Sequence, residues 1–387
     1  MNVPATWRVP VACATVAMVL GVGVALTTMS VADWNVTVLV RMAPEQPLAP
    51  VARATDPGFA FVHFHGRGDG VAYYGIARDP LALGEEHELF EWAPYRYGHP
   101  GYSWLAWLAS AGDAALVPFA LLALNILGLG IAAAVSSLIS HELGHSLWGG
   151  LVVALNPGLL YATTIDTSEP VSAALLALVL FGWLRGRQGI AVVPLVLLCL
   201  TKEWFVLVAV GLAGWELVQA SRAGWRWRSA AVAAALPALA VLPFALWYVY
   251  VVVRFDSWPA APAGELLQLP LSGWAKTARQ AADVGMQTFD GVTAGHAALP
   301  LLAVVGAAFV FGAVRAARLR NPIHPVYLAL LSVVASLNHL NLLYTKDLMR
   351  TLAIPLALVP AVVVSSERWR ARRISSPRVE SESRAGR

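Results

Sequence analysis

Uncharged apolar runs, rather than a two-residue alternation or a repeating amphipathic stripe, set the pattern of this chain. Ten of them predict helices at 9–32, 114–139, 147–165, 170–184, 189–201, 204–220, 229–253, 297–314, 323–344 and 348–364. Lipid offers backbone N–H and C=O groups no partners, so runs of this kind cross a bilayer only as helices. Two of them, 170–184 and 189–201, are shorter than the ~17 residues usually needed. The first run carries no charge from Val9 to Ala32. It exceeds the ~7–15 residues of a signal-peptide core, and no clear small-residue cleavage pattern follows, so it is expected to stay as a helix.

Composition fits the same class: 58% of residues are hydrophobic, 13% are charged, and mean hydropathy is +0.63. A soluble core cannot absorb such a chain, which excludes soluble classes and predicts an all-α, polytopic transmembrane protein of about ten spans. Loop charge then sets the orientation. With the N-terminus cytoplasmic, the inner segments 1–8, 140–146, 185–188, 221–228, 315–322 and the tail from Ser365 hold 16 of the 27 Lys and Arg but few of the 23 Asp and Glu. RGR, SRAGWRWR and RAARLR then all obey the positive-inside rule. Removing the short span 189–201 would put the last two outside, which favours keeping it. The expected organisation is a membrane domain over 1–366 and a disordered basic tail over 367–387 near anionic lipid, with both termini on the cytoplasmic side of the plasma membrane. Cys13 and Cys199 fall near opposite faces of this topology, so no disulfide is expected.

The topology leaves one oversized outer segment, 33–113, and a second, 254–296; most other connections are a few residues. Loops this long are usually functional, and the first is expected to carry amphipathic helices on the bilayer surface. It contains HFHGRGDGVAYYGIARDP and YRYGHPGYSWLAWLAS. Asp69 lies between two glycines that let backbone approach a ligand closely. Its structural alternative is a solvated turn. Three further outer connections carry charge inside apolar surroundings: Asp166 with Glu169, Lys202 with Glu203, and Lys346 with Asp347 and Arg350. Ionisable groups at membrane depth cost on the order of 2.5–3.5 kcal/mol each on insertion scales and usually line cavities or substrate paths. Singly, each pair reads as an interfacial ion pair or a snorkelling anchor. Together on one face they suggest a site for an anionic, lipid-linked ligand with an acid-base group. Tyr73, Tyr74, Trp92 and Trp104 offer faces for a sugar; their alternative is an interfacial aromatic belt.

HELGH, residues 141–145, spells a zinc-protease motif if it lies on one helix, with His141 and His145 as ligands and Glu142 as base. The run 114–139 already uses its membrane length, so an inner turn is expected instead. The third ligand is also missing: Asp166 and Glu169 lie roughly 30 Å away at the other face by helix rise. Glu216 is the one substitute within the inner side.

The order GDGVAYYGIARDP, YRYGHPGYSWLAWLAS, NPGLLYATTIDTSEP and LTKEW resembles bacterial members of the GT-C superfamily, with a mannosyltransferase-like character. These are polytopic glycosyltransferases that take sugar from a polyprenyl-phosphate carrier at the extracytoplasmic face. The resemblance spans roughly residues 1 to 365, with its motifs concentrated in 60–205. It implies Asp69 as catalytic base and Arg96 as the Arg of a Tyr-Arg stretch, with His99 standing where relatives often have a second basic residue. It further implies that Tyr73, Tyr74, Arg96, Asp166, Glu169, Lys202, Glu203, Lys346 and Arg350 surround a lipid-linked sugar donor and a glycan, lipid or protein acceptor from the cell envelope. No metal ligand and no certain cofactor are assigned, a divalent metal is left open, and no nucleic acid is expected. The rival reading is a transporter or flippase of a lipid-linked saccharide, which would show an internal repeat and charges near the midplane of broken helices.

Overall fold

The computed structural model describes residues 5–62, 69–89, 91–222, 224, 227–260, 267–284 and 298–363. The basic tail 367–387, the segment 63–68 and much of the second outer segment lie outside the described residues. Among these residues the chain is a bundle of helices: α1 (Ala5–Met29), α2 (Ala49–Thr55), α3 (Asp69–Arg78), α4 (Ala93–Tyr97), α5 (Gly101–Ala109) and α6 (Val117–Glu142). There follow α7 (Leu151–Ala154), α8 (Pro157–Ala162), α9 (Glu169–Leu184), α10 (Gln188–Thr201), α11 (Val206–Arg222) and α12 (Trp227–Phe255). The remainder is α13 (Ser272–Val284), α14 (Ala298–Ala316), α15 (Ile323–Ser336), α16 (His339–Leu343) and α17 (Thr345–Val363). No strand is formed among them, and the chain is a polytopic helical membrane protein.

Five helices, α1, α6, α11, α12 and α14, are long and apolar enough to cross a membrane; α9, α10 and α15 are shorter apolar helices. Leu and Val side chains on the outer faces of α1, α12 and α14 are left uncovered by protein, as a lipid-facing rim requires. Two predicted spans are not single helices. The run 147–165 is broken because Ser146 caps a short 3-10 turn at Leu147–Gly150, and Asn156 then caps a new helix whose first residue is Pro157. The Asn156 carboxamide oxygen accepts from the N–H groups of Gly158 and Leu159, which ends α7 and starts α8 within two residues. Likewise 323–344 divides where Asn338 caps α16.

Small residues let the inner helices touch. A methyl added at Gly128 on α6 would lie 2.8 Å from the Pro170 carbonyl carbon, so α6 and α9 pack backbone to backbone. Pro170 therefore sits beside the eleventh residue after Val117, about 16 Å along α6. The start of α9 lies well down the bundle, not at its outer rim as the sequence implied.

The long segment 33–113 carries α2, α3, α4 and α5. The run YYGIA belongs to α3, and every residue from Gly70 to Ala77 is buried. Its apolar residues face protein, not a bilayer surface. In the second outer segment, α13 lays Gly273, Thr277 and Ala281, one helical face, against its neighbours, and the Thr277 hydroxyl donates to the carbonyl of Gly273 and, at 3.3 Å, to that of His339.

The HELGH stretch is a helix terminus. The N–H of Gly144 reaches the carbonyl of His141 and that of His145 reaches Ser140, with Gly144 at φ +88°. This paired pattern closes α6 and needs a left-handed residue that glycine supplies without cost. His145 is thus past the turn, not one helical turn along from His141. Glu142 is held by Arg185 at 2.6 Å, and Glu216 accepts from Trp183 and Gln188.

Two expectations follow. In a chain whose Cys13 and Cys199 are replaced, a cysteine at exposed Leu83 should react with an impermeant thiol reagent in intact cells, and one at Ser381 only after permeabilisation; the opposite pattern would reverse the topology. The double variant His141→Ala/His145→Ala should leave the zinc content of the purified protein unchanged and far below one per chain, measured by mass spectrometry. An equivalent of zinc that vanishes in the double variant would restore the metalloprotease reading.

Candidate active site

Three helices begin where the charged motifs meet, and each carries a carboxylate in its first turn: Asp69 on α3, Glu169 on α9 and Asp347 on α17. Helix N-termini favour negative charge there, which is one reason these acidic residues start helices within apolar sequence. Gly70 fixes the first of them. A methyl on Gly70 would lie 2.6 Å from the Ile165 carbonyl oxygen and 2.9 Å from that of Val40. Backbone from two other segments thus meets the start of α3, which explains the glycine after Asp69.

Cations close the constellation. Arg96 on α4 reaches one oxygen of Asp69 at 2.6 Å, and Arg350 on α17 reaches the other at 2.7 Å. Arg350 also approaches Glu169 through Nε at 3.8 Å and Asp347 through Nη2 at 3.5 Å. Lys202, just after α10 in extended backbone, donates to Glu169 at 2.8 Å. Three cations and three carboxylates thus form one neutral network from four helices and the α10–α11 connection. Buried charge requires such pairing, since an unpaired ion taken out of water costs several kcal/mol. Burial pushes the Asp69 carboxyl up, but the pull of Arg350, Arg96 and Lys202 outweighs it and holds the group well below the usual carboxylate range. Asp69 is therefore ionised, and while both arginines hold it, a weak base.

Around this network, the Tyr73 hydroxyl shares a hydrogen bond of 3.1 Å with Ser168, and its ring meets Tyr102 edge-on at 5.0 Å. His99, between α4 and α5, lies 3.6 Å from Glu203. Burial, with Arg96 and Lys202 adding to it against Glu203, lowers its pKa to about 4. It is a neutral imidazole at physiological pH, so it does not replace the second basic residue that the resemblance implies. Lys346 sits 5.8 Å from the centre of the Tyr344 ring, an interaction that orients its ammonium.

Several predicted residues fall elsewhere. Tyr74, adjacent to Tyr73, points the other way: its hydroxyl accepts from Arg78 at 3.1 Å and its ring packs on Phe59. Trp104 donates to the Pro80 carbonyl and packs on Trp247, a structural role. Asp166 is fully buried at φ +47°, and neither carboxylate oxygen has a hydrogen-bond partner. With no cation to oppose it, burial pushes its pKa up from the ordinary value, and it lies outside the ionic network. Conversely, Ser168 joins the site although sequence reading did not select it, and Asp347, read there only as part of a charged connection, binds Arg350 directly. The Asp347-to-Arg350 spacing, three residues on a helix, was the available signal. Arg350 lies between Asp69 and Glu169, and each of these carboxylates already meets a cation. Among the described residues no group of three His, Cys, Asp or Glu is placed to hold a metal ion.

Beside the network, α12 presents an apolar groove lined by Val241, Phe244, Ala245, Tyr248, Val249 and Trp258. A methyl on Gly98 would come within 3.4 Å of the Tyr248 hydroxyl, so the groove reaches the YRYGHP segment that holds Arg96.

No family model matches the chain, and no curated protein matches it. Among solved structures, the archaeal oligosaccharyltransferase AglB from Archaeoglobus fulgidus, in complex with an inhibitory peptide and a dolichol-phosphate, is similar at 14% identity and a TM-score of 0.46. The match covers 87% of this chain and 50% of that one, so this chain spans about half of that protein's length.

The Gly70 contact makes a direct expectation. Gly70→Ala should lower the melting temperature in detergent, by the equivalent of ~1–3 kcal/mol for an overpacked site. Gly23→Ala on α1, where nothing lies within 4 Å of the added methyl, should be neutral or stabilising. Equal melting of the two variants would remove the contact as the reason for glycine at position 70.

Proposed function

We propose that this chain is an integral membrane glycosyltransferase of GT-C type that moves a sugar from a polyprenyl-phosphate donor to a cell-envelope acceptor at the extracytoplasmic face. The observation that carries this reading is the grip of Arg96 and Arg350 on Asp69 inside a network that also contains Lys202 and Glu169. Residues from four separate motifs, each of which resembles the family in sequence, meet there as two short pairs, Asp69 with Arg96 and Glu169 with Lys202, joined through Arg350 at 2.7 and 3.8 Å. Guanidinium groups suit phosphate through paired N–H donors, and a lysine adds a mobile point charge. The apolar groove on α12 supplies a wall for an isoprenoid chain whose head reaches the arginines.

In the reaction, the acceptor hydroxyl oxygen forms a bond to the anomeric carbon while its proton passes to Asp69. The bond between that carbon and the phosphate oxygen breaks, and its electrons stay on the phosphate. Arg350, Arg96 and Lys202 stabilise the growing charge with donors already in place. Tyr73 presents a buried aromatic edge next to this centre; Glu203 and Lys346 border it as polar contacts for sugar or acceptor. The donor set favours fixed protein cations over a divalent metal for this task.

One observation favours carriage without chemistry: the network meets the middle of α6 and is flanked by broken helices, as transport sites are. The two readings part on a single substitution. Asp69→Asn keeps size and most hydrogen bonding but removes the base, and loss of general-base help costs ~10²–10⁴-fold in rate. Transfer from a polyprenyl-phosphate sugar, or rescue of the surface glycan in a deletion strain, should be lost with Asp69→Asn. Asp79→Asn is the comparison, because Asp79 accepts from the N–H groups of Leu83 and Gly84 and shapes a turn. It should cost about 1 kcal/mol of stability with transfer per folded molecule intact. Full transfer by Asp69→Asn would move the base elsewhere, with Asp33 and Asp56 next to test, or leave a carrier with no chemistry to lose.

A further inference from the structure

Asp69 carries a contradiction if it is a base: both of its oxygens are already taken by guanidinium groups, at 2.6 and 2.7 Å. We propose that the donor's phosphate takes Arg96 and Arg350 over from Asp69, so that binding the donor is what turns this carboxylate into a base. The proposal rests on the transferase reading for the identity of the donor, and concerns how its site is switched on.

The geometry carries it in three ways. First, both arginines have capacity to spare. Each guanidinium offers five donors, and the buried Nε of Arg350 has no hydrogen-bond partner. Arg350 faces three carboxylates at once, of which only Asp69 is within a short, direct bond; Glu169 and Asp347 are at 3.8 and 3.5 Å. Its attachment to Asp69 is therefore the one that decides where the group points. Second, Asp69 is the accessible member of the pair that grips hardest. Its side chain is 25% exposed, whereas Glu169, tied to Lys202, is 4% exposed. Arg96 and Arg350 are 14% and 13% exposed where they hold Asp69, so an incoming anion can reach both guanidinium groups at that contact. Third, the network is neutral as it stands, with Arg96, Lys202 and Arg350 against Asp69, Glu169 and Asp347. A phosphodiester that enters adds one negative charge, so the phosphate and Asp69 must then share the same two arginines and Lys202.

Before transfer, Asp69 and the phosphodiester each carry one negative charge. Afterwards Asp69 is neutral and the phosphate, now a monoester, carries up to two. Total charge is conserved, while its centre moves from the carboxylate to the phosphate. The arginines end on the group that ends with the charge. Tyr73, Tyr95 and neutral His99 surround Asp69 without offering another cation, so the two arginines and Lys202 are what must be shared.

The test is a binding measurement that needs no transfer. The full-length protein in detergent is titrated with a polyprenyl monophosphate bearing no sugar, with inorganic phosphate as competitor. If Asp69 competes for the arginines, Asp69→Asn should bind the lipid phosphate about tenfold tighter or more than the wild type, as expected when charge-assisted competition is removed. Arg350→Gln should bind at least about tenfold more weakly. Melting temperatures with and without the probe check folding, and the stabilisation by the probe should be larger in Asp69→Asn. Asp69→Ser serves if the asparagine variant does not fold. Equal or weaker binding by folded Asp69→Asn, with Arg350→Gln still impaired, overturns the exchange but leaves the transferase reading standing. Tighter binding by Asp69→Asn with transfer intact overturns the proposal, because the exchange then frees no base. Binding that ignores both substitutions places the phosphate elsewhere and overturns the proposal.

Discussion

Everything that distinguishes this bundle from a bare set of membrane helices depends on keeping buried charge compensated. Arg350 is the hinge of that compensation, since it meets carboxylates from α3, α9 and from its own helix. Breaking a buried ion pair by removing one partner costs ~3–5 kcal/mol in well-buried cases, and less here because the side chains of Arg350 and Asp69 are partly exposed. Replacing all the charges by apolar groups would pack at least as well in such surroundings. Their presence is a cost to the fold that a binding site explains. The polar framework about them follows the same logic: Asn156 donates to the Ala353 carbonyl across α8 and α17, one turn from Arg350. The arginine is held by its charges at one end and by its helix's neighbours at the other.

The fold class was legible because lipid leaves few options, and uncharged runs longer than a soluble core tolerates are unambiguous. Helix ends were less so. The run 147–165 is apolar throughout, and only Asn156 and Pro157 tell that it is two helices and a turn; a cap outweighs hydropathy locally because it satisfies several backbone donors at once. The short runs 170–184 and 189–201 are helices as expected.

In the site, charge inside apolar sequence was the useful signal. Glu169, Lys202 and Arg350 were picked for that reason, Asp69 for its place between two glycines and Arg96 from the family resemblance, and all five meet in one network, with Glu203 at its border through His99. Two failures have a common cause. Tyr74 follows Tyr73, but neighbours on a helix point about 100° apart, so only one of the two faces Asp69's surroundings. Asp166 looked like the partner of Glu169, three residues on, yet the left-handed backbone at Asp166 turns it into an enclosed pocket where no cation follows. The resemblance in sequence could name motifs but not which way each side chain turns.

The contact at Gly70 constrains how this chain can change over time. The exposed positions of 33–113, such as Leu81 and Leu83, can drift because they face outward. At Gly70 the neighbours are carbonyl groups, at Ile165 and Val40, which every amino acid carries. No compensating substitution at those two positions can make room for a methyl, since the obstacle is main chain and not side chain. Position 70 is thus an evolutionary dead end for anything but glycine unless a whole segment moves, and the register of Asp69 is inherited from backbone geometry that mutation cannot easily reach.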